Sequence, residues 1–304
     1  MLRITVRFGV GVLSASSLVA CGGDQGDDAL TLSATTLMVR DSGFATIGGV
    51  FHDGVSDFYF VSSINGGALA EDSNGFISVV SGDGEVLSLK HVDAATTGVA
   101  FHAPKGLTVV DSILYVTDIH TIWQFNRDTG APLGSTRIPG ATALHAIVGH
   151  PNLAVYFTDA GFRPGPDGPE ASGTDAVYRL WPDGRLDTLG MGPELGQPTG
   201  IAVAGDSVWV AASATGELYR LEDGQRVDVQ KVADRLEGLV VTETAVFATN
   251  PIGGTLLRGT LGGTFLPATE NLSGPRSVAF DRWRFRVLVV TNQGAEIRAI
   301  PLAF

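Results

Sequence analysis

The stretch Pro104-Lys105-Gly106-Leu107, followed by Leu114-Tyr115-Val116-Thr117-Asp118, holds the motif from which the rest of the chain can be read. A small residue is followed by an apolar pair, a polar turn, and an apolar run that ends in a small or polar residue. The motif returns as Leu144-His145-Ala146-Ile147 with Val155-Tyr156-Phe157-Thr158-Asp159, and as Pro198-Thr199-Gly200-Ile201 with Val208-Trp209-Val210-Ala211-Ala212. Two more copies pair Leu236-Glu237-Gly238-Leu239 with Val246-Phe247-Ala248-Thr249-Asn250, and Pro275-Arg276-Ser277-Val278 with the run from Val287 to Asn292. A weaker first copy runs from Ile47 to Phe58-Tyr59-Phe60-Val61. The five clear anchors, at positions 104, 144, 198, 236 and 275, lie 40, 54, 38 and 39 residues apart, and the long interval contains an insertion over residues 161–175. Self-similarity at a fixed period of this length is the mark of a repeat architecture.

Between the anchors lie further strand pairs, such as Ala176-Val177-Tyr178-Arg179-Leu180 and Glu217-Leu218-Tyr219-Arg220-Leu221, followed by turns at Pro182-Asp183-Gly184 and Asp223-Gly224. Asp-Gly is hairpin chemistry, because the turn needs positive φ. Four strands in about forty residues, repeated six times, predict an all-β fold, a six-bladed β-propeller. Blades stack face to face, so their inner strands are covered on both sides and read as continuous apolar runs rather than as strict alternation. The last copy has room for only about three strands before Phe304. Residues 29–40 are expected to supply the missing outer strand, closing the ring and removing exposed sheet edges.

Composition excludes several classes of function. The chain has 304 residues with 40 glycines, nearly twice the usual share of roughly 7%. Twenty basic residues against 32 acidic ones give a net charge of −12, which excludes a nucleic-acid partner, since phosphate binding needs a basic surface. The single cysteine makes neither an internal disulfide nor a zinc cluster.

That cysteine is Cys21, and it ends an address. Arg3 and Arg7 precede an apolar or small run from Phe8 to Ala20, closed by Leu18-Val19-Ala20-Cys21. The run has signal-peptide length and is too short to span a bilayer comfortably. It resembles the bacterial lipobox, whose cysteine is lipidated and becomes the new N-terminus. The expected organisation is a lipoprotein signal peptide over residues 1–20, a flexible tether over 21–28 and the propeller over 29–304. The expected location is the bacterial cell envelope, with Cys21 anchoring the protein in a membrane. Gly22 rather than aspartate follows Cys21, which favours the outer membrane. Without Arg3 and Arg7 the net charge falls to −14, so the acyl chains, not headgroup attraction, would hold the protein.

In an antiparallel blade the start of the first strand and the end of the second lie at one edge. The repeat therefore predicts one mouth ringed by Lys105, His145, Thr199, Glu237 and Arg276, joined by Asp118, Asp159, Asn250 and Asn292 from strand ends and by Asn65 from the first blade. The insertion follows a second strand and should overhang the same mouth. Polar residues at strand ends also commonly serve loop backbone groups, and Asp118 could hold the turn before His120. There is no Gly-x-Ser-x-Gly elbow, no His-Glu-x-x-His and no phosphate-cradling loop. Asp72-Ser73-Asn74-Gly75 reads as a hairpin turn before Phe76.

The motifs at Pro104, Pro198 and Leu236 resemble the SMP-30/gluconolactonase/LRE-like family over roughly residues 44–304, and are similar to those of NHL-repeat propellers. The resemblance implies a six-bladed propeller and, for the family's lactonases, a calcium or zinc ion. Those enzymes hold it with a first-blade glutamate, an asparagine in Pro-Asn-Gly and an aspartate in Asp-Gly. Here Thr46-Ile47-Gly48-Gly49-Val50 has no glutamate, Pro198-Thr199-Gly200 has no amide, and Glu237-Gly238 keeps a carboxylate on a longer arm. The family's substrate-facing asparagine is replaced by His145. A rebuilt metal site would draw on Glu237, His145 and Asn65, with calcium, zinc or manganese as the candidate ion.

Two functions follow. One is a lipid-anchored propeller that binds a small molecule or an envelope protein at its mouth without turnover. The other is a metal-dependent hydrolase acting on a lactone or ester, with Glu237 as ligand and His145 as ligand or general base. A structural envelope role is the third and blandest reading.

Overall fold

The computed structural model describes residues 36–39, 43–291 and 296–302. Six four-stranded antiparallel sheets form six blades. Blade 1 comprises Ile47–Asp53, Phe58–Ser63, Phe76–Ser81 and Val86–Asp93, and blade 2 comprises Pro104–Val110, Ile113–Asp118, Thr121–Asn126 and Pro132–Arg137. Blade 3 takes Leu144–Gly149, Val155–Asp159, Ala176–Leu180 and Leu186–Met191. Blade 4 takes Pro198–Ala204, Ser207–Ala212, Glu217–Glu222 and Gln225–Lys231, and blade 5 takes Leu239–Val241, Val246–Asn250, Thr255–Gly259 and Leu266–Thr269. Blade 6 joins Pro275–Asp281, Arg286–Thr291 and Glu296–Pro301 to Thr36–Val39 from the other end of the chain, with Thr36 opposite Ala299. The innermost strands touch in blade order and the sixth touches the first, so the ring is closed.

Burial explains the apolar runs. Phe58–Ser63 is buried at all but its first residue and Val155–Asp159 throughout, whereas the outer strand Pro132–Arg137 is almost wholly exposed. The core lies between blades: Phe60 and Ile77 of blade 1 pack with Leu107, Leu114, Val116 and Phe125 of blade 2. Asp223 and Gly224 both take positive φ, 49° and 78°, as a tight hairpin turn requires. The expected hairpin turn at Asp72 to Gly75 is instead the end of a long connection over residues 64–75. That connection joins Phe58–Ser63 to Phe76–Ser81 and carries Ala68 and Leu69 to the channel mouth.

Blades 6 and 1 are also joined by a buried polar network. Asp281 accepts hydrogen bonds from the Tyr59 hydroxyl at 2.5 Å and from Arg286 Nε at 2.9 Å, while Arg284 donates to Asp57 at 2.6 and 2.8 Å. Burial pushes Asp281 up, but the Tyr59 hydroxyl, His52 and Arg286 outweigh it and hold the carboxyl below the usual range.

Candidate functional site

Two local devices turn the repeat into a site. The first is a register shift at the start of the innermost strand, between Ile47 and Gly49, Pro104 and Leu107, Leu144 and Ile147, Pro198 and Gly200, and Pro275 and Val278. Such bulges re-aim side chains, and the residues inside them include Lys105, His145, Thr199 and Arg276. The second device is a hydroxyl near the end of the second strand that reaches the next blade. Ser62 Oγ donates to the Lys105 carbonyl at 2.6 Å, Thr117 Oγ1 to the His145 carbonyl at 2.6 Å, and Thr249 Oγ1 to the Arg276 carbonyl. Thr117 and Thr249 also accept from the backbone N–H of Gly106 and Gly238. Lys105, His145 and Arg276 are thus each fixed by two blades.

The result is a cavity of about 440 Å³ at the mouth, lined by Lys105, His145, Thr199, Arg235, Glu237 and Arg276. Ile64, Ala68, Leu69, Phe162 and Pro169 make an apolar part of the same lining. The last two come from the insertion, which folds as the hairpin Phe162–Gly165 with Gly168–Ala171. Below it, a channel of about 290 Å³ shares Gly48, His145, Thr199, Glu237 and Arg276 with the cavity and continues past the inner strands to Arg282.

The structure therefore brings Lys105, His145, Thr199, Glu237 and Arg276 together, and it leaves other predicted mouth residues out. Asp118 is buried and accepts from the backbone of His102 and Ala103 and from Trp123 Nε1, so it braces the loop ahead of Pro104, not the turn before His120. Asp159 does the same for blade 3, accepting from Thr142, Ala143 and Gly161. Asn65 is exposed and donates to the Asn74 carbonyl, and Asn250 accepts from Gly253 N in its own turn. Neither lines the cavity. Asn292 and Cys21 lie outside the described residues. Arg235, Ile64, Ala68 and Leu69 were missed, because they come from loops that carry no repeat signal, whereas Phe162 and Pro169 belong to the insertion expected to overhang the mouth.

Electrostatics at the mouth are dominated by cations. Lys105 is 6% exposed, and burial lowers its pKa to about 8 against the attraction of Asp118 and Asp159. Glu237 lies 3.1 Å from Arg276 Nη1 and 3.9 Å from His145 Nε2. Burial raises its pKa, with Arg276 and Arg235 opposing. His145 Nδ1–H donates to the Thr199 carbonyl at 2.8 Å, which leaves Nε2 as the bare nitrogen toward Glu237. Burial, then Lys105, and more weakly Arg276 and Arg235, push His145 down to about 3. The imidazole is neutral at physiological pH.

The metal implied by the lactonase resemblance does not fit this donor set. A hard cation wants six or more oxygens, whereas the cavity offers one carboxylate, already paired with Arg276, beside Lys105 and Arg235. The expected third ligand, Asn65, points elsewhere. A different group, His52, Asp57 and Asp281, has ligand atoms within 4.8 Å of one another and could hold a metal ion. It sits at the far ends of the innermost strands, and its two carboxylates already receive Arg284 and Arg286.

Fold and site together define a closed six-bladed β-propeller with a cationic, half-apolar cavity at one mouth. No family model matches the chain, and no curated protein matches it. Among solved structures it is similar to a gluconolactonase from Xanthomonas campestris, at TM-score 0.67 and 20% identity over 90% of this chain and 91% of that one. A virginiamycin B lyase from Staphylococcus aureus, determined with quinupristin, aligns at TM-score 0.62 and 13% identity over 89% and 99%. A luciferin-regenerating enzyme aligns at TM-score 0.62 and 11% identity over 88% and 96%. At these identities the likeness establishes the propeller fold of the gluconolactonase type and nothing of its chemistry.

Proposed function

We propose that the chain is an extracytoplasmic propeller, lipid-anchored through Cys21 in the cell envelope, that binds a small molecule at its mouth without turning it over. The observation that carries this reading is the Glu237–Arg276 ion pair at 3.1 Å beside a neutral His145. The one carboxylate available for a metal is occupied by a guanidinium, and an imidazole whose pKa is near 3 is too weak a base for catalysis near neutrality. The cavity remains suited to a ligand, with several polar groups and apolar side chains in one lining. The anchor rests on the lipobox-like Leu18-Val19-Ala20-Cys21. An envelope protein is the alternative occupant of the mouth.

A metal-dependent hydrolase acting on a lactone or ester is the second reading, favoured by the name of the Xanthomonas neighbour and by a Glu237 carboxyl with a raised pKa in the cavity. The test is a turnover screen of lactones and esters with added calcium, zinc or manganese, run beside Glu237→Ala. The expected result is no turnover above the Glu237→Ala background. Hydrolysis that collapses in that variant would replace the binding reading with the hydrolase.

A further inference from the structure

The lining of the mouth cavity combines two kinds of side chain, cationic and apolar, and the combination specifies a ligand. The lining presents Lys105, Arg235 and Arg276 against a single acid, Glu237. Its donors outnumber its acceptors. Glu237 receives Arg276, Arg235 Nε donates to Ser213 Oγ at 2.8 Å, and Lys105 Nζ has, among the described residues, the Ala103 carbonyl at 3.3 Å as its hydrogen-bond partner. An ammonium carries three donors, and leaving buried donors unpaired costs free energy. Asp118 and Asp159 attract Lys105 through space, yet their oxygens are engaged by backbone N–H groups. A further acceptor with charge is what the lining lacks.

The loop residues of the same lining, Ile64, Leu69 and Phe162, offer nothing polar from their side chains and ask for an apolar body. Glu237 already offsets one of the three cations, so a single ligand carboxylate is balanced by the remaining charge, whereas a dicarboxylate would set two further negative charges beside Glu237. The rest of the molecule is acidic, at −12 overall, so anions are not drawn in by a long-range field and must be recognised by contact.

Resting on the binding reading above, we propose that the ligand is a small organic monocarboxylate with an apolar body. Its carboxylate is held by Lys105, Arg235 and Arg276, and its body packs on Ile64, Leu69 and Phe162. Guanidinium–carboxylate pairing supplies orientation as well as energy. A neutral molecule of the same shape leaves the cations unsatisfied, and an amine is repelled by them.

The test is a calorimetric titration of the purified protein with octanoate, octanol and octylammonium, repeated on Arg276→Gln and Phe162→Ala. Arg276 keeps 45% of its side chain exposed and Phe162 lies on the inserted hairpin, so both variants should fold. One octanoate per chain is expected, weakened at least tenfold by either substitution and by raised salt, with octanol and octylammonium at least tenfold weaker. Octanol binding as well as octanoate, sensitive to Phe162→Ala but not to Arg276→Gln, would overturn the carboxylate and leave the binding reading standing. Octanoate binding untouched by either substitution, or no binding of any probe, would overturn the inference. The binding reading itself fails only through Glu237-dependent turnover, which the titration does not measure.

Discussion

His145 shows how a single residue at the mouth is tuned. Its backbone carbonyl is held by Thr117 and its ring by the Thr199 carbonyl, so the imidazole is fixed between blades 2 and 4 and cannot swing to gain a proton partner. A histidine with a folded pKa near 3 and an ordinary unfolded one contributes stability that is complete above pH 6.5. That contribution is lost as pH falls toward the folded value, because the unfolded chain takes the proton first. Glu237, whose pKa is raised, acts in the opposite direction over its own range. His145→Gln should therefore flatten the acid side of the stability curve. Between pH 7 and pH 5 the wild-type chain is expected to lose about 1 kcal/mol more than the variant, part of the full effect because the side chain keeps 20% of its surface exposed. Urea midpoints at the two pH values measure this, and equal losses would show that His145 titrates normally.

At the scale of the element, the bulged start of five of the six innermost strands works only because the neighbouring backbone can come close. A Cβ on Gly106 would lie 2.5 Å from the His145 carbonyl oxygen, and one on Gly200 2.7 Å from that of Glu237. Gly106→Ala should force blades 2 and 3 apart and cost about 1–3 kcal/mol, the usual penalty for overpacking. Chemical denaturation gives the number, and an unchanged midpoint would mean that the interface is looser than described. These glycines and hydroxyl residues helped make the fold legible in the chain, since a contact repeated at several blade boundaries repeats its residues. Lys105, His145, Thr199, Glu237 and Arg276 were legible for the same reason, each standing at one place in the repeat. Asp118 and Asp159 misled, because a carboxylate at a strand end reads alike whether it faces the channel or caps a loop. Arg235 and Leu69 carried no signal, because loops between repeats obey no period, whereas Phe162 was reached only as part of the insertion that the long interval revealed.

Over the whole molecule, charge is partitioned. An acidic propeller gathers Lys105, Arg235 and Arg276 at one mouth, and seats the His52, Asp57 and Asp281 group with Arg284 and Arg286 at the other end of the innermost strands. The contrast separates this chain from the metal-holding pattern that its motifs resemble: where that pattern concentrates acids, this mouth concentrates bases. The proposed role of the mouth is to bind an organic ligand and not a metal. Its most direct test is the metal content of the protein purified without chelator, beside Glu237→Gln, with calcium, zinc and manganese then titrated into each. The expected result is no metal at the mouth, so that content and titrations are the same for both proteins. Stoichiometric metal in the wild-type chain that disappears with Glu237→Gln would contradict the account and restore the hydrolase.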